Sequence, residues 1–152
     1  MTNLPQAIDK IKRYCAYQER CNYDVVCKLK EWGVDSSQRA KIVQELTMEG
    51  YLDEVRFARA FVRGKFNIKS WGNQKIIFEL KRRNINESCI GKAMEEIDGN
   101  LYLEKTDRLA AKWIKEHKEM PKPEQEQKLY RYLYSKGYEQ EDILKCINRN
   151  IK

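Results

Sequence analysis

Leu29-Lys30-Glu31-Trp32-Gly33-Val34, Leu80-Lys81-Arg82-Arg83-Asn84-Ile85 and Leu133-Tyr134-Ser135-Lys136-Gly137-Tyr138 are one device written three times. In each, a leucine is followed four positions later by Gly or Asn, and then by an apolar residue. Gly, and less readily Asn, takes up the left-handed backbone conformation that stops a helix. The apolar residue after it folds back on the last turn. A polar cap region and another helix-period run follow every copy. The copies are spaced by 51 and 53 residues, so each unit is about three helices long at ordinary helix lengths of ~10–14 residues. Three such helices bury little by themselves, and units of this kind stack on their neighbours. The pattern predicts an all-α fold, an elongated array of three tandem three-helix repeats. Residues 1–52 hold the first repeat with an N-terminal helix, 53–99 the second and 100–152 the third.

The runs around these turns have helical periodicity nearly everywhere. Ala7, Ile8, Ile11 and Cys15 share one face of a first helix, Leu4 to Glu19. Asn22 is expected to cap a second, with Val25, Val26 and Leu29. Asp35, Ser36 or Ser37 begins a third, carrying Ile42, Val43 and Leu46 and stopping at Gly50. Asp53 caps a fourth with Val55, Ala58, Phe61 and Val62. Ser70 is expected to open a fifth with Ile76, Ile77 and Leu80, and Asn86 a sixth with Ile90, Ala93, Met94 and Ile97. Leu101 to Glu116 forms a seventh. The break at Met120-Pro121-Lys122-Pro123 precedes an eighth helix with Leu129, Tyr132 and Leu133. A ninth carries Ile143, Leu144 and Ile147.

Composition excludes several classes. Of the 152 residues, 35% are charged and 41% hydrophobic, which favours thin amphipathic elements over one thick core. Seven Gly and three Pro leave little turn chemistry for a many-stranded β fold. No run approaches the ~18 apolar residues of a membrane span, and Met1 to Arg13 lacks an apolar signal core, so a cytosolic protein is expected. The five cysteines include Cys15, Cys21 and Cys27, spaced by six. That spacing turns a helix by about 240°, so the three thiols face apart and share no metal. With His117 standing away from them, they read as buried or half-buried thiols, and no metal or other cofactor is expected. Neither a phosphate-binding G-x-x-x-x-G-K-[ST] loop nor a G-x-S-x-G elbow occurs, and one histidine does not make a hydrolytic triad. The chain does not read as an enzyme.

The charge is concentrated. Residues 56–92 hold ten basic side chains (Arg56, Arg59, Arg63, Lys65, Lys69, Lys75, Lys81, Arg82, Arg83 and Lys92) against Glu79 and Glu87. The segment carries +8 of a chain total of +7, which leaves −1 for everything else. At about 100° per residue, Arg56, Arg59 and Arg63 fall on one ridge of the fourth helix. On the fifth, Lys75 and Arg82 are expected opposite Ile76, Ile77 and Leu80, with Lys81 and Arg83 to either side. Such a surface attracts nucleic acid or an acidic protein, and the charge alone serves both equally. Arg56, Arg59, Arg63, Lys65, Lys75, Lys81, Arg82 and Arg83 are the candidate binding residues. Trp71 and Phe78 lie within the segment. Packing between helices is the expectation for both, with stacking on unpaired bases as the alternative. Tyr14, Tyr17, Tyr23, Tyr130, Tyr132 and Tyr134 are likewise expected between helices.

The run Gly50-Tyr51-Leu52-Asp53-Glu54-Val55-Arg56-Phe57-Ala58-Arg59-Ala60-Phe61-Val62 closely resembles the hallmark of the RecX family of recombinase regulators, roughly G-Y-[LI]-[ND]-D-x-x-[FY]-A-x-x-[YF]-[VI]. After a basic stretch, Gly72-Asn73-Gln74-Lys75-Ile76-Ile77-Phe78-Glu79-Leu80-Lys81-Arg82-Arg83-Asn84-Ile85 resembles the family's G-x-x-x-[IL]-x-x-E-L-x-x-[KR]-[GN]-[IV]. Cys21-Asn22-Tyr23-Asp24-Val25 with Lys28-Leu29 is similar to its S-x-x-E-L-x-x-K-L, and Leu133 to Tyr138 to its L-x-x-[KR]-G-F. Cys21, Val25 and Asn84 replace the usual Ser, Leu and Gly. The resemblance implies a modulator of RecA that binds the RecA filament on single-stranded DNA, occupies its helical groove and suppresses its ATPase and strand-exchange activities. Weak direct DNA binding, no membrane contact and a monomer are the further expectations. The alternative is a basic helical nucleic-acid-binding module that affects recombination indirectly.

Overall fold

A computed structural model of the chain describes residues 3–152. The described residues form nine helices and no strand: α1 Leu4–Tyr17, α2 Asn22–Glu31, α3 Ser36–Met48, α4 Glu54–Asn67, α5 Asn73–Arg82, α6 Glu87–Met94, α7 Gly99–Glu116, α8 Lys122–Lys136 and α9 Gln140–Asn150. The architecture is a helical repeat array. All three repeated turns close in the same way. The amide of Val34 donates to Leu29 O (3.0 Å), that of Ile85 to Leu80 O (3.1 Å) and that of Tyr138 to Leu133 O (3.2 Å). The residue before each is left-handed: Gly33 at φ 76°, Asn84 at 59° and Gly137 at 100°. These are Schellman stops, in which carbonyls left over at the helix end find amides beyond it. Leu29, Leu80 and Leu133 are fully buried, and Val34, Ile85 and Tyr138 are buried beside them. A fourth copy at Gly50, with Tyr51 donating to Leu46 O at 2.8 Å, ends α3.

Two compact units divide the chain, one from the N-terminal residues to Phe61 with Leu80–Ala93, the other of Val62–Glu79 with Met94–Lys152. In the first unit, Ala7, Ile11 and Cys15 of α1 meet Val25 and Leu29 of α2 and Ile42 and Leu46 of α3. In the second, α7, α8 and α9 pack on one another. Phe66, Tyr102 and Tyr138 form an aromatic row through that unit, with centroid distances of 6.1 and 5.3 Å.

Several helix starts are as local as expected. Asp35 caps α3 by accepting from Gln38 N at 2.9 Å, and Asp53 caps α4 by accepting from Arg56 N at 3.0 Å. Others differ. Cys21, not Asn22, is the N-cap of α2, and Asp24 reaches back to accept from Cys21 N at 3.2 Å. This is the reciprocal half of a capping box, which leaves the cap position tolerant of a thiol. Asp98 caps α7, which begins at Gly99, two residues before the expected start.

The largest departure is α5. Ser70 does not open it: Ser70 is itself left-handed at φ 58°, and the helix begins at Asn73. Its first amides are met from far along the chain. Gly72 N donates to Lys136 O at 2.7 Å, Gln74 N to Gly137 O at 2.9 Å, and Asn73 N to the Tyr102 hydroxyl at 3.1 Å. The carbonyl end of α8 thus caps the amide end of α5, which joins complementary ends of two helix dipoles.

Tyr102 in turn donates to Glu139 Oε1 at 2.9 Å. Burial, reinforced by hydrogen bonding to the Asp142 carboxyl, pushes Glu139 up to about 7 from an ordinary 4.5. A carboxyl whose folded pKa is raised stabilises the fold fully below its unfolded pKa and loses that contribution as pH rises through the folded value. The chain is therefore expected to melt at a higher temperature at pH 6 than at pH 8.5. Glu139→Gln should flatten that difference in circular-dichroism melts.

Cys15, Cys21, Cys89 and Cys146 are buried and Cys27 is exposed. Burial raises the Cys15 thiol to about 11 and the Cys21 and Cys146 thiols to about 12, which keeps them protonated and unreactive at neutral pH. Among the described residues no helix is long and apolar enough to cross a membrane.

Candidate functional site

The first unit carries Arg56, Arg59, Lys81, Arg82 and Arg83. Arg56 is not simply displayed. Its Nε lies 2.7 Å from Glu19 Oε2, and its terminal nitrogen donates to Gly50 O and Tyr51 O at 3.0 and 3.3 Å. One guanidinium therefore closes the turn after α3 and ties α4 to the end of α1. Arg59 is half-buried. The Arg83 guanidinium sits 5.0 Å from the centre of the Phe61 ring, a cation–π arrangement. Lys81 and Arg82 are exposed on the last turn of α5. There, positive charge also complements the helix dipole.

The second unit carries Arg63, Lys65 and Lys75. Arg63 pairs with Glu96 at 3.5 Å. Lys65 and Lys75 are brought together by Trp71, their ammonium groups 4.8 and 4.4 Å from the centre of its ring. Lys75 does not project as the helical wheel suggested. It is half-buried, because the start of α5 lies directly against the turn at Gly137. Trp71 is half-buried, whereas Phe78 is 63% exposed and not packed between helices. Tyr14, Tyr130 and Tyr132 are half-buried as expected, but Tyr17, Tyr23 and Tyr134 are exposed. Their turns of the helix lie off the apolar face, and the amphipathic ring tolerates water.

The positions on α4 are therefore unequal. Arg56→Ala removes a charge-assisted bond to two carbonyls as well as an ion pair, and should cost about 1–2 kcal/mol. Arg63→Ala loses only a long, exposed pair and should stay within about 0.5 kcal/mol. Urea midpoints of the two variants measure the difference.

A second basic surface lies outside the segment that the charge count singled out. Lys10, Arg13, Tyr14, Tyr17, Arg20 and Trp32 line a cleft of about 420 Å³ in the first unit. The spacing of Lys10, Arg13, Tyr14 and Tyr17 along one side of α1 was the available signal. Summing charge over long segments hid it, because Asp9 and Glu19 fall in the same stretch.

Two family models match the chain: RecX, second three-helix domain, over residues 53–94, and RecX, third three-helix domain, over residues 101–147. The chain belongs to the RecX family. It is 27% identical over 133 residues to the regulatory protein RecX of Lactobacillus delbrueckii subsp. bulgaricus, a match covering 88% of this chain and 49% of that one. The regulatory protein RecX of Prosthecochloris aestuarii is 24% identical over 94% of this chain and 92% of its own length. The chain spans about half the length of the lactobacillus relatives it matches. Among solved structures, a crystal structure of regulatory protein RecX superposes with a TM-score of 0.86 at 26% identity, covering 95% of this chain and 72% of that one. RecX from Lactobacillus salivarius shares the fold with a TM-score of 0.82 at 21% identity, over 95% and 94%.

In this RecX chain the family hallmark is mostly architecture. Gly50 makes the left-handed stop, Asp53 caps α4, and Phe57, Ala58 and Val62 are buried.

Proposed function

We propose that this RecX-family chain regulates RecA, binding the RecA filament on single-stranded DNA and suppressing its ATPase and strand-exchange activities in recombination and DNA repair. It acts as a cytoplasmic monomer built of three-helix units, 1–52, 53–99 and 100–152, without a cofactor and without catalysing a reaction. The observation that carries this reading is the pair of RecX domain matches over residues 53–94 and 101–147. The +8 segment falls in the first of these, and Lys81 and Arg82 stand exposed within it. Arg56, Arg59, Arg63, Lys65, Lys75, Lys81, Arg82 and Arg83 are the proposed binding set, with Arg56 also serving the fold. The test is RecA's DNA-dependent ATP hydrolysis with the purified chain titrated in. Near-stoichiometric protein should reduce both hydrolysis and joint-molecule formation. If neither changes over a wide titration, while naked single-stranded DNA is bound at moderate salt, the chain is a nucleic-acid-binding module instead.

A further inference from the structure

We infer that the cleft between α1 and α2 binds an unpaired stretch of nucleic acid, with a base stacked on Tyr17 and the neighbouring phosphates met by Lys10 and Arg13. Three observations carry this. The lining is three cations and three aromatic rings, Lys10, Arg13, Arg20, Tyr14, Tyr17 and Trp32, and no acidic side chain among the described residues lines it. Several surface cations elsewhere on the chain are paired, as in Lys12–Glu49 at 3.1 Å, Lys128–Glu124 at 2.9 Å and Arg149–Asp107 at 2.9 Å, whereas no carboxylate lies among the residues lining the cleft. The lining itself is therefore positive, and such a surface attracts an anion.

Two of the three rings, Tyr14 and Trp32, are also held in place. Arg20 lies 3.7 Å from the centre of the Tyr14 ring, and its Nε donates to Tyr14 O at 3.1 Å, which fixes guanidinium and ring together. Lys10 sits 5.6 Å from the Trp32 ring, and Trp32 is anchored against the core of its unit. Tyr17, at the last position of α1, is 83% exposed and keeps an aromatic ring in water beside these charges. An acidic peptide would use the cations but not the rings. A duplex offers its backbone but no unstacked base. An unpaired strand uses both, since every base has a face to stack and a phosphate beside it.

This inference does not rest on the RecA reading, and its test is separate from RecA. The full chain is titrated against a fluorescein-labelled oligothymidylate of about twenty nucleotides, longer than the ~4–16 nucleotides that single-strand binding modules occupy. An abasic strand of equal length and unlabelled polyglutamate are the controls. Tyr17→Ala should weaken oligothymidylate binding at least about fivefold, and Tyr17→Phe should restore it. The abasic strand should bind more weakly and be indifferent to Tyr17→Ala. Lys10→Glu with Arg13→Glu should weaken binding at least about tenfold and make its salt dependence shallower. All three side chains are exposed, so the variants' helical melts should overlay the parent's. Unchanged oligothymidylate affinity in Tyr17→Ala overturns the stacking site. Polyglutamate competing as well as the unlabelled oligonucleotide overturns the nucleic acid in favour of an acidic peptide.

Discussion

Gly72→Ala is expected to lower the stability of this chain by about 3–5 kcal/mol. A Cβ at Gly72 would overlap the backbone carbonyl carbon of Gly137 and the backbone nitrogen of Tyr138, and backbone atoms cannot rotate away as a side chain can. Relief requires the start of α5 to withdraw from the end of α8. The bonds Gly72 N to Lys136 O and Gln74 N to Gly137 O are then lost. Overpacking costs about 1–3 kcal/mol and each lost bond about 1 kcal/mol. At this chain length the melting temperature should fall on the order of 10 °C. Gly33→Ala is the control. Gly33 is left-handed, at φ 76°, but its Cβ would meet nothing within 4 Å, so only the conformational cost of about 1 kcal/mol applies. Gly64, helical and open, should gain about 0.5–1 kcal/mol as alanine. Thermal melts that place Gly72→Ala beside Gly33→Ala would show that the close approach of the two turns is not what holds them.

Lys81→Ala with Arg82→Ala is expected to weaken binding to the RecA–DNA filament at least about tenfold, which is ~1.4 kcal/mol. The pair is chosen because both side chains are exposed and both lie on the last turn of α5. At that position positive charge complements the helix dipole, a term of up to about 1 kcal/mol each. Arg56 and Lys75 would be poorer probes. Arg56 holds Glu19 and two carbonyls, and Lys75 is packed at the Gly137 turn and over Trp71, so their loss would mix folding with binding. Charge that meets an anionic partner releases counterions, so the double variant should also show a shallower salt dependence. A variant that binds and inhibits like the parent at every salt concentration would make these charges a solvated helix end and nothing more.

The basic surface shows how far segment-level reasoning reaches. The charge count located residues 56–92, and helical spacing put Arg63 on a ridge of α4 and Arg82 opposite the apolar residues of α5, with Lys81 to one side; all three are exposed. Spacing could not anticipate Arg56, whose partner Glu19 is 37 residues away. Nor could it anticipate Lys65 and Lys75, which meet only because the loop between α4 and α5 sets Trp71 between them. The cleft of Lys10, Arg13, Tyr14, Tyr17, Arg20 and Trp32 was legible only along α1: Trp32 lies just past the end of α2, and only packing of α2 on α1 brings it there.

What the chain's own order of residues determined is the helices' ends and their repetition. Each stop at Gly33, Gly50, Asn84 and Gly137 depends on a bond between residues five apart, such as Val34 N to Leu29 O, and on one left-handed position. Such interactions are local, so their signature is contiguous in the sequence. Tertiary structure alone decided where α5 begins, which arginine is a clamp rather than a contact, and which aromatics stand in water. Those outcomes depend on groups such as Lys136 O, Tyr102 and Glu19, tens of residues away. A backbone amide or a guanidinium takes whatever acceptor the packed chain presents, and nothing in its immediate neighbours specifies which that will be.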